Sequence, residues 1–121
     1  MSIPNEALQK VVQEIETRAI QSQQQIAIVK AQITAKQRET RLLELTSKEI
    51  STLPKDTKTY EGVGKMFVRV PLSTIEKQLS TQSANMKSNI TDLEKKLHYH
   101  ETTHKNTREN IEHIFKSASR A

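Results

Sequence analysis

The sequence predicts an all-α-dominated fold: a long antiparallel coiled-coil hairpin of two helices, with one central β-hairpin at the joint. Three observations predict it. The prolines and glycines of the 121-residue chain are confined to its start and middle, at Pro4, Pro54, Gly62, Gly64 and Pro71, and these two residue types are the strongest helix breakers. The flanking stretches carry apolar residues at alternating spacings of four and three, the period of a coiled-coil seam. Between them, apolar and polar residues alternate singly, the period of a strand.

The first helix is expected over residues 5–53. Its seam runs Leu8, Val12, Ile15, Ala19, Ser22, Ile26, Val29, Ile33, Lys36, Thr40 and Leu43, with Ser22, Lys36 and Thr40 as polar interruptions. Pro4 suits a first helical turn, where its missing amide hydrogen costs nothing. Thr46 and Glu49 match a capping box, which predicts a break near Leu45 and a short restart through Ile50 and Leu53. The β-hairpin is expected over 57–70. Met66, Val68 and Val70 alternate there with Lys65, Phe67 and Arg69, and the two glycines permit the positive φ of a tight turn. The second helix is expected over 73–118, opened by a Ser73–Glu76 capping box after Pro71. Its seam runs Leu79, Ser83, Met86, Ile90, Leu93, Leu97, His100, His104, Thr107, Ile111 and Ile114. Helices of ~40–45 residues span ~60–68 Å at the standard rise, and their near-equal lengths favour antiparallel pairing within one domain, 1–121.

Composition supports a narrow seam over a large core. Hydrophobic residues are 34% of the chain and aromatics 3%, below the ~45–50% apolar share of an ordinary globular domain. No cysteine is present, so disulfides and thiolate metal sites are excluded. The polar N-terminus has no signal-peptide apolar block, and no run approaches the ~18 apolar residues of a membrane span. A soluble cytoplasmic protein with no membrane partner is expected. The net charge of +5 comes from 19 Lys and Arg dispersed among 14 Asp and Glu, the pattern of a solvated helix surface; no nucleic-acid partner is expected.

The chemistry of sites narrows the function further. His98, His100, His104 and His113 raise the question of a metal, but zinc needs three or four ligands with a supporting shell. His100 and His104 read better as polar seam positions that fix register and whose protonation weakens pairing in acid. Gly62-Val63-Gly64 lacks the third glycine and the Lys-Ser/Thr pair of a phosphate loop. Two helices offer no catalytic pocket, so neither enzyme activity nor a cofactor is expected.

An isolated two-stranded hairpin is marginally stable in water and exposes two unpaired edges. With both helices committed to each other, it is expected to pair with hairpins of other subunits through Tyr60, Val63, Met66, Phe67, Val68 and Val70. At the opposite end, Ile3, Leu8, Val11 and Val12 start one helix while Ile111, Ile114 and Phe115 finish the other. Val11 and Phe115 fall outside the heptad positions and widen the apolar stripe, which suits weak contact with exposed apolar side chains. The alternative is a structural coiled-coil adaptor that binds a folded partner along its helices.

The segment Tyr60-Glu61-Gly62-Val63-Gly64-Lys65-Met66-Phe67 resembles the hairpin of the prefoldin family. Leu45-Thr46 with Glu49-Ile50, and the helix after Pro71, are similar too. The order helix, single hairpin, helix is that of β-type prefoldin subunits; the α-type carries two hairpins. The resemblance implies a heterohexamer, in which this chain joins two α-type and three further β-type subunits through a barrel of hairpins. It also implies that residues 57–70 form the assembly segment and the helix ends the client-facing tips. The complex would hold unfolded actin and tubulin and pass them, without ATP, to the cytosolic chaperonin.

Overall fold

The structure, a computed structural model, describes residues 5–120, with side chains described through Ser117. The chain runs α1 (Asn5–Ser51), β1 (Thr59–Val63), β2 (Met66–Val70) and α2 (Leu72–Arg120). The predicted elements are present in the predicted order.

The first helix does not break near Leu45. The Thr46 hydroxyl donates to the Leu42 carbonyl one turn back, at 2.7 Å. The side chain that would cap a restarted helix is thereby tied into the continuous one. The helix ends instead at Ser51, two residues before the expected limit. There the amides of Thr52 and Leu53 close tighter turns onto the carbonyls of Glu49 and Ile50, while the Ser51 and Thr52 hydroxyls cover those of Lys48 and Glu49. Pro54 explains the stop, because it has no amide hydrogen and disfavours helical backbone at the residue before it. The second helix likewise begins at Leu72 and not at Ser73. The Pro71 carbonyl accepts the first turn's bonds from Thr74 and Ile75, so Pro71 occupies the capping position and Ser73 lies within the turn.

By mutual contact the residues fall into two compact units. The first joins α1 up to Ile33 with α2 from Leu93; the second is Thr34–Asp92. In the first unit the seam of α1 is covered at every position from Leu8 to Ile33 that the heptad pattern names, as is that of α2 from Leu93 to Ile114. Val29 is fully buried, and Ser22, Ile33 and Thr107 are nearly so. In the second unit, Ile50 borders a cleft with Ile75 and Leu79, whereas Leu42 and Leu43 face Met86 and Asn89 across the pair. Rising numbers on α1 meet falling numbers on α2, so the helices of this unit run antiparallel.

Two of the polar seam residues, Thr40 and Thr107, are tolerated because they satisfy themselves. The Thr40 hydroxyl donates to the Lys36 carbonyl and Thr107 to the Thr103 carbonyl, at 2.9 and 2.7 Å. Neither leaves a buried group unpaired, which would cost about 1–3 kcal/mol.

Candidate functional site: the central hairpin and the paired helix ends

The strands β1 and β2 pair antiparallel, with Thr59 opposite Val70, Tyr60 opposite Arg69, Glu61 opposite Val68, Gly62 opposite Phe67 and Val63 opposite Met66. Gly64 and Lys65 form the two-residue turn, and Gly64 takes φ +62°. Lys65 keeps a negative φ, so the turn has the II′ pattern, with glycine required at its first central position. The expected hairpin limits of 57–70 contract at the front, because Thr57 closes a turn onto Pro54 and does not join the strand.

This register sorts the side chains into two faces, because opposed residues in an antiparallel pair project to the same side. One face holds Val63, Met66, Val68 and Val70 with Thr59 and Glu61. The other holds Tyr60, Phe67 and Arg69. Gly62 carries no side chain, and the Phe67 ring lies over it, 3.8 Å from where a Cβ would stand. Both faces of the ribbon therefore carry large apolar or aromatic side chains, with Glu61 on one and Arg69 on the other, and both are open. Phe67 is 78% exposed and Met66 68%, and Tyr60, Val63 and Val68 are also exposed. Only the pair Thr59 and Val70, beside the helices, is partly covered. The six residues named from the sequence are thus brought together on one ribbon of ten paired residues, with no third strand among the described residues.

At the other candidate site, Leu8, Val11 and Val12 of α1 and Ile111, Ile114 and Phe115 of α2 all belong to the first unit. Leu8, Val12, Ile111 and Ile114 are half-buried in the seam, whereas Val11 and Phe115 remain 43% and 54% exposed. Ile3 lies outside the described residues.

The seam histidines carry no ligand set. Among the described residues no three His, Asp or Glu side chains gather that could hold a metal ion. His100 stacks edge-on against Tyr99, with ring centroids 5.4 Å apart. His104 is half-buried, and its Nδ1 is sealed from solvent with no hydrogen-bond partner. Replacing it by a side chain of similar volume without polar atoms removes that penalty. His104→Leu is therefore expected to stabilise the first unit by about 1–2 kcal/mol, read as a higher midpoint in thermal or urea unfolding. An unchanged or lower midpoint would show that the imidazole contributes favourably to the seam.

Among the described residues, no helix is long and apolar enough to cross a membrane. Neither candidate site named from the sequence includes four exposed aliphatic residues of α1: Ile20, Ile28, Leu42 and Leu45.

Comparison with known proteins agrees with this architecture. The prefoldin subunit family matches residues 8–118. A probable prefoldin subunit 1 of Schizosaccharomyces pombe is 34% identical over 112 residues, covering 93% of this chain and 100% of that protein. Prefoldin subunit 1 of Mus musculus is 35% identical over 104 residues, 86% of this chain and 85% of the mouse protein. The crystal structure of the prefoldin beta subunit from Thermococcus strain KS-1 superimposes with a TM-score of 0.78 at 23% identity, covering 91% of this chain and 92% of that one. It therefore shares the fold of two long helices around a single antiparallel hairpin. Prefoldin subunits are non-enzymatic chaperone components that assemble with one another. From a family match along nearly its whole length and relatives sharing a third of its residues, this chain belongs to the prefoldin family.

Proposed function

We propose that this chain is a β-type subunit of a cytosolic heterohexamer of two α-type and four β-type prefoldin chains, which captures unfolded proteins of the actin and tubulin kind without ATP and delivers them to the cytosolic chaperonin. One observation carries the reading: a two-stranded ribbon with large apolar side chains exposed on both faces, whose outer edges meet no further strand among the described residues. Such a ribbon is marginal by itself and prone to promiscuous edge pairing. Completion by hairpins of sibling subunits removes both liabilities, and a closed barrel removes the edges altogether.

The capture role rests on the first unit. Val11 and Phe115 keep apolar surface open beside the half-covered Leu8, Val12, Ile111 and Ile114. Surface of this kind, non-directional and roughly proportional in strength to area, suits weak attachment to many unfolded chains. Deleting residues 1–8 and 111–121 is expected to leave hexamer assembly intact and to remove most of the suppression of aggregation of chemically unfolded actin. Unchanged suppression by the truncated hexamer would remove the capture site from these helix ends. Binding only to a native partner would instead support a structural adaptor.

A further inference from the structure

The two flanks of the helix pair in the second unit differ in chemistry. One flank is a groove bordered by Leu42, Thr46, Gln82, Asn85, Met86 and Asn89, and its only charged lining residue is Glu39. The opposite flank also reaches the seam residues Leu43 and Leu79, with Ala84, but carries three charges, Glu44, Lys48 and Lys87, among the hydroxyls of Ser47, Ser51, Ser80 and Ser83. Leu42 is 65% exposed, and Leu45 and Leu53 are also open. On α2, by contrast, no large apolar side chain of this unit is exposed among the described residues.

The amides on the first flank form a stripe. Gln78, Gln82, Asn85 and Asn89 recur at spacings of four, three and four, each one residue ahead of the seam positions Leu79, Ser83, Met86 and Ile90. They therefore run parallel to the seam on one side of it. Gln78 and Gln82 also border a second cleft, with Ile50 and with Tyr60, Glu61 and Gly62 of β1. Because Gln82 belongs to both, the groove is continuous with the β1 side of the hairpin.

We infer that this flank is a second docking surface for the sibling prefoldin subunit whose strand adds to β1, extending the interface from the hairpin along about two turns of the helices. The inference rests on the reading that sibling chains complete the hairpin. Once a neighbour's strand lies along β1, its adjoining chain enters the groove that continues from that strand. The composition fits a protein occupant. Interface cores are depleted in charge, and side-chain amides both donate to and accept from backbone. A nucleic acid would require cations, and the only charge lining the groove is a carboxylate.

The test uses the complex co-expressed from all sibling chains, with Leu42→Arg or Asn85→Arg on the amide flank, Ser47→Arg on the charged flank and Phe67→Asp in the hairpin. Native mass and the concentration of half-dissociation are measured for each, and circular dichroism checks that each isolated chain stays helical. Leu42→Arg and Asn85→Arg are each expected to weaken assembly at least tenfold, while Ser47→Arg leaves it unchanged. Wild-type assembly of both flank variants, or an equal loss with Ser47→Arg, overturns the inference. If Phe67→Asp alone disrupts the complex, the flank inference falls and the hairpin reading stands. If Phe67→Asp also assembles normally, both fall. Flank variants that assemble normally but hold unfolded protein poorly would assign the groove to the client and overturn the inference.

Discussion

Phe67→Asp is expected to abolish assembly with sibling subunits while leaving the chain itself as helical as before. Phe67 is 78% exposed and lies over the bare backbone of Gly62, so its ring contributes little to the fold of one chain. In an assembled barrel the same ring would be desolvated near the middle of the ribbon, the position of a binding hot spot. Aromatic anchors of this kind are worth about 2–4 kcal/mol, and a carboxylate in their place adds the cost of a buried charge. The expected loss is about 100-fold or more in association, measured by sedimentation of the co-expressed complex over a range of concentrations. A complex of full mass and normal stability would contradict assembly through the hairpin.

Val29→Asp is expected to have the largest effect on the fold. Val29 is the one fully buried large side chain among the described residues. Burial of a valine contributes about 1.5–3 kcal/mol, and a carboxylate at that position adds the cost of desolvating a charge. A cost of about 3–5 kcal/mol follows. For a chain whose narrow seam leaves little stability in reserve, that is enough to separate the helices of the first unit at physiological temperature. Circular dichroism would record the loss of helix on heating, with Val29→Ile as the control of matched chemistry. The hairpin lies in the other unit, so assembly should survive better than the capture of unfolded protein. Retention of the wild-type melting temperature would show that the seam does not hold the first unit together.

The seam was legible to the residue because it depends on one rule. Residues spaced by four and three share a helix face, and every position so named, from Leu8 to Leu43 and from Leu79 to Ile114, is at least partly covered. Even the polar members obey it, since Thr40 and Thr107 bond back to their own helix. The hairpin was legible through Gly64, whose positive φ no side-chain-bearing residue adopts cheaply. The capping boxes misled. A threonine three residues before a glutamate can cap a helix, but it can also bond to the carbonyl four residues back, and at Thr46 the second bond wins. With no Gly or Pro between Thr46 and Ser51, nothing in the backbone favours a break. At Ser73 the fixed φ of Pro71 opened the helix earlier. The amide flank escaped notice because it shows no apolar periodicity. Gln82, Asn85 and Asn89 look like ordinary solvated polar residues until the structure sets them in one groove with Leu42, across from a flank that carries more charge.

The central claim is that sibling chains complete the ribbon, and amide hydrogen exchange across it reads this most directly. In a two-residue hairpin the pair beside the turn exchanges both bonds and the pattern alternates outward. The amides of Tyr60, Gly62, Phe67 and Arg69 therefore point away from the partner strand. Exchange at these four amides should be fast in the isolated chain at low concentration and slow by orders of magnitude in the co-expressed complex, while the seam amides change little. Equal exchange at the four amides in both states, with the complex at full mass, would mean that no sibling strand pairs with the ribbon.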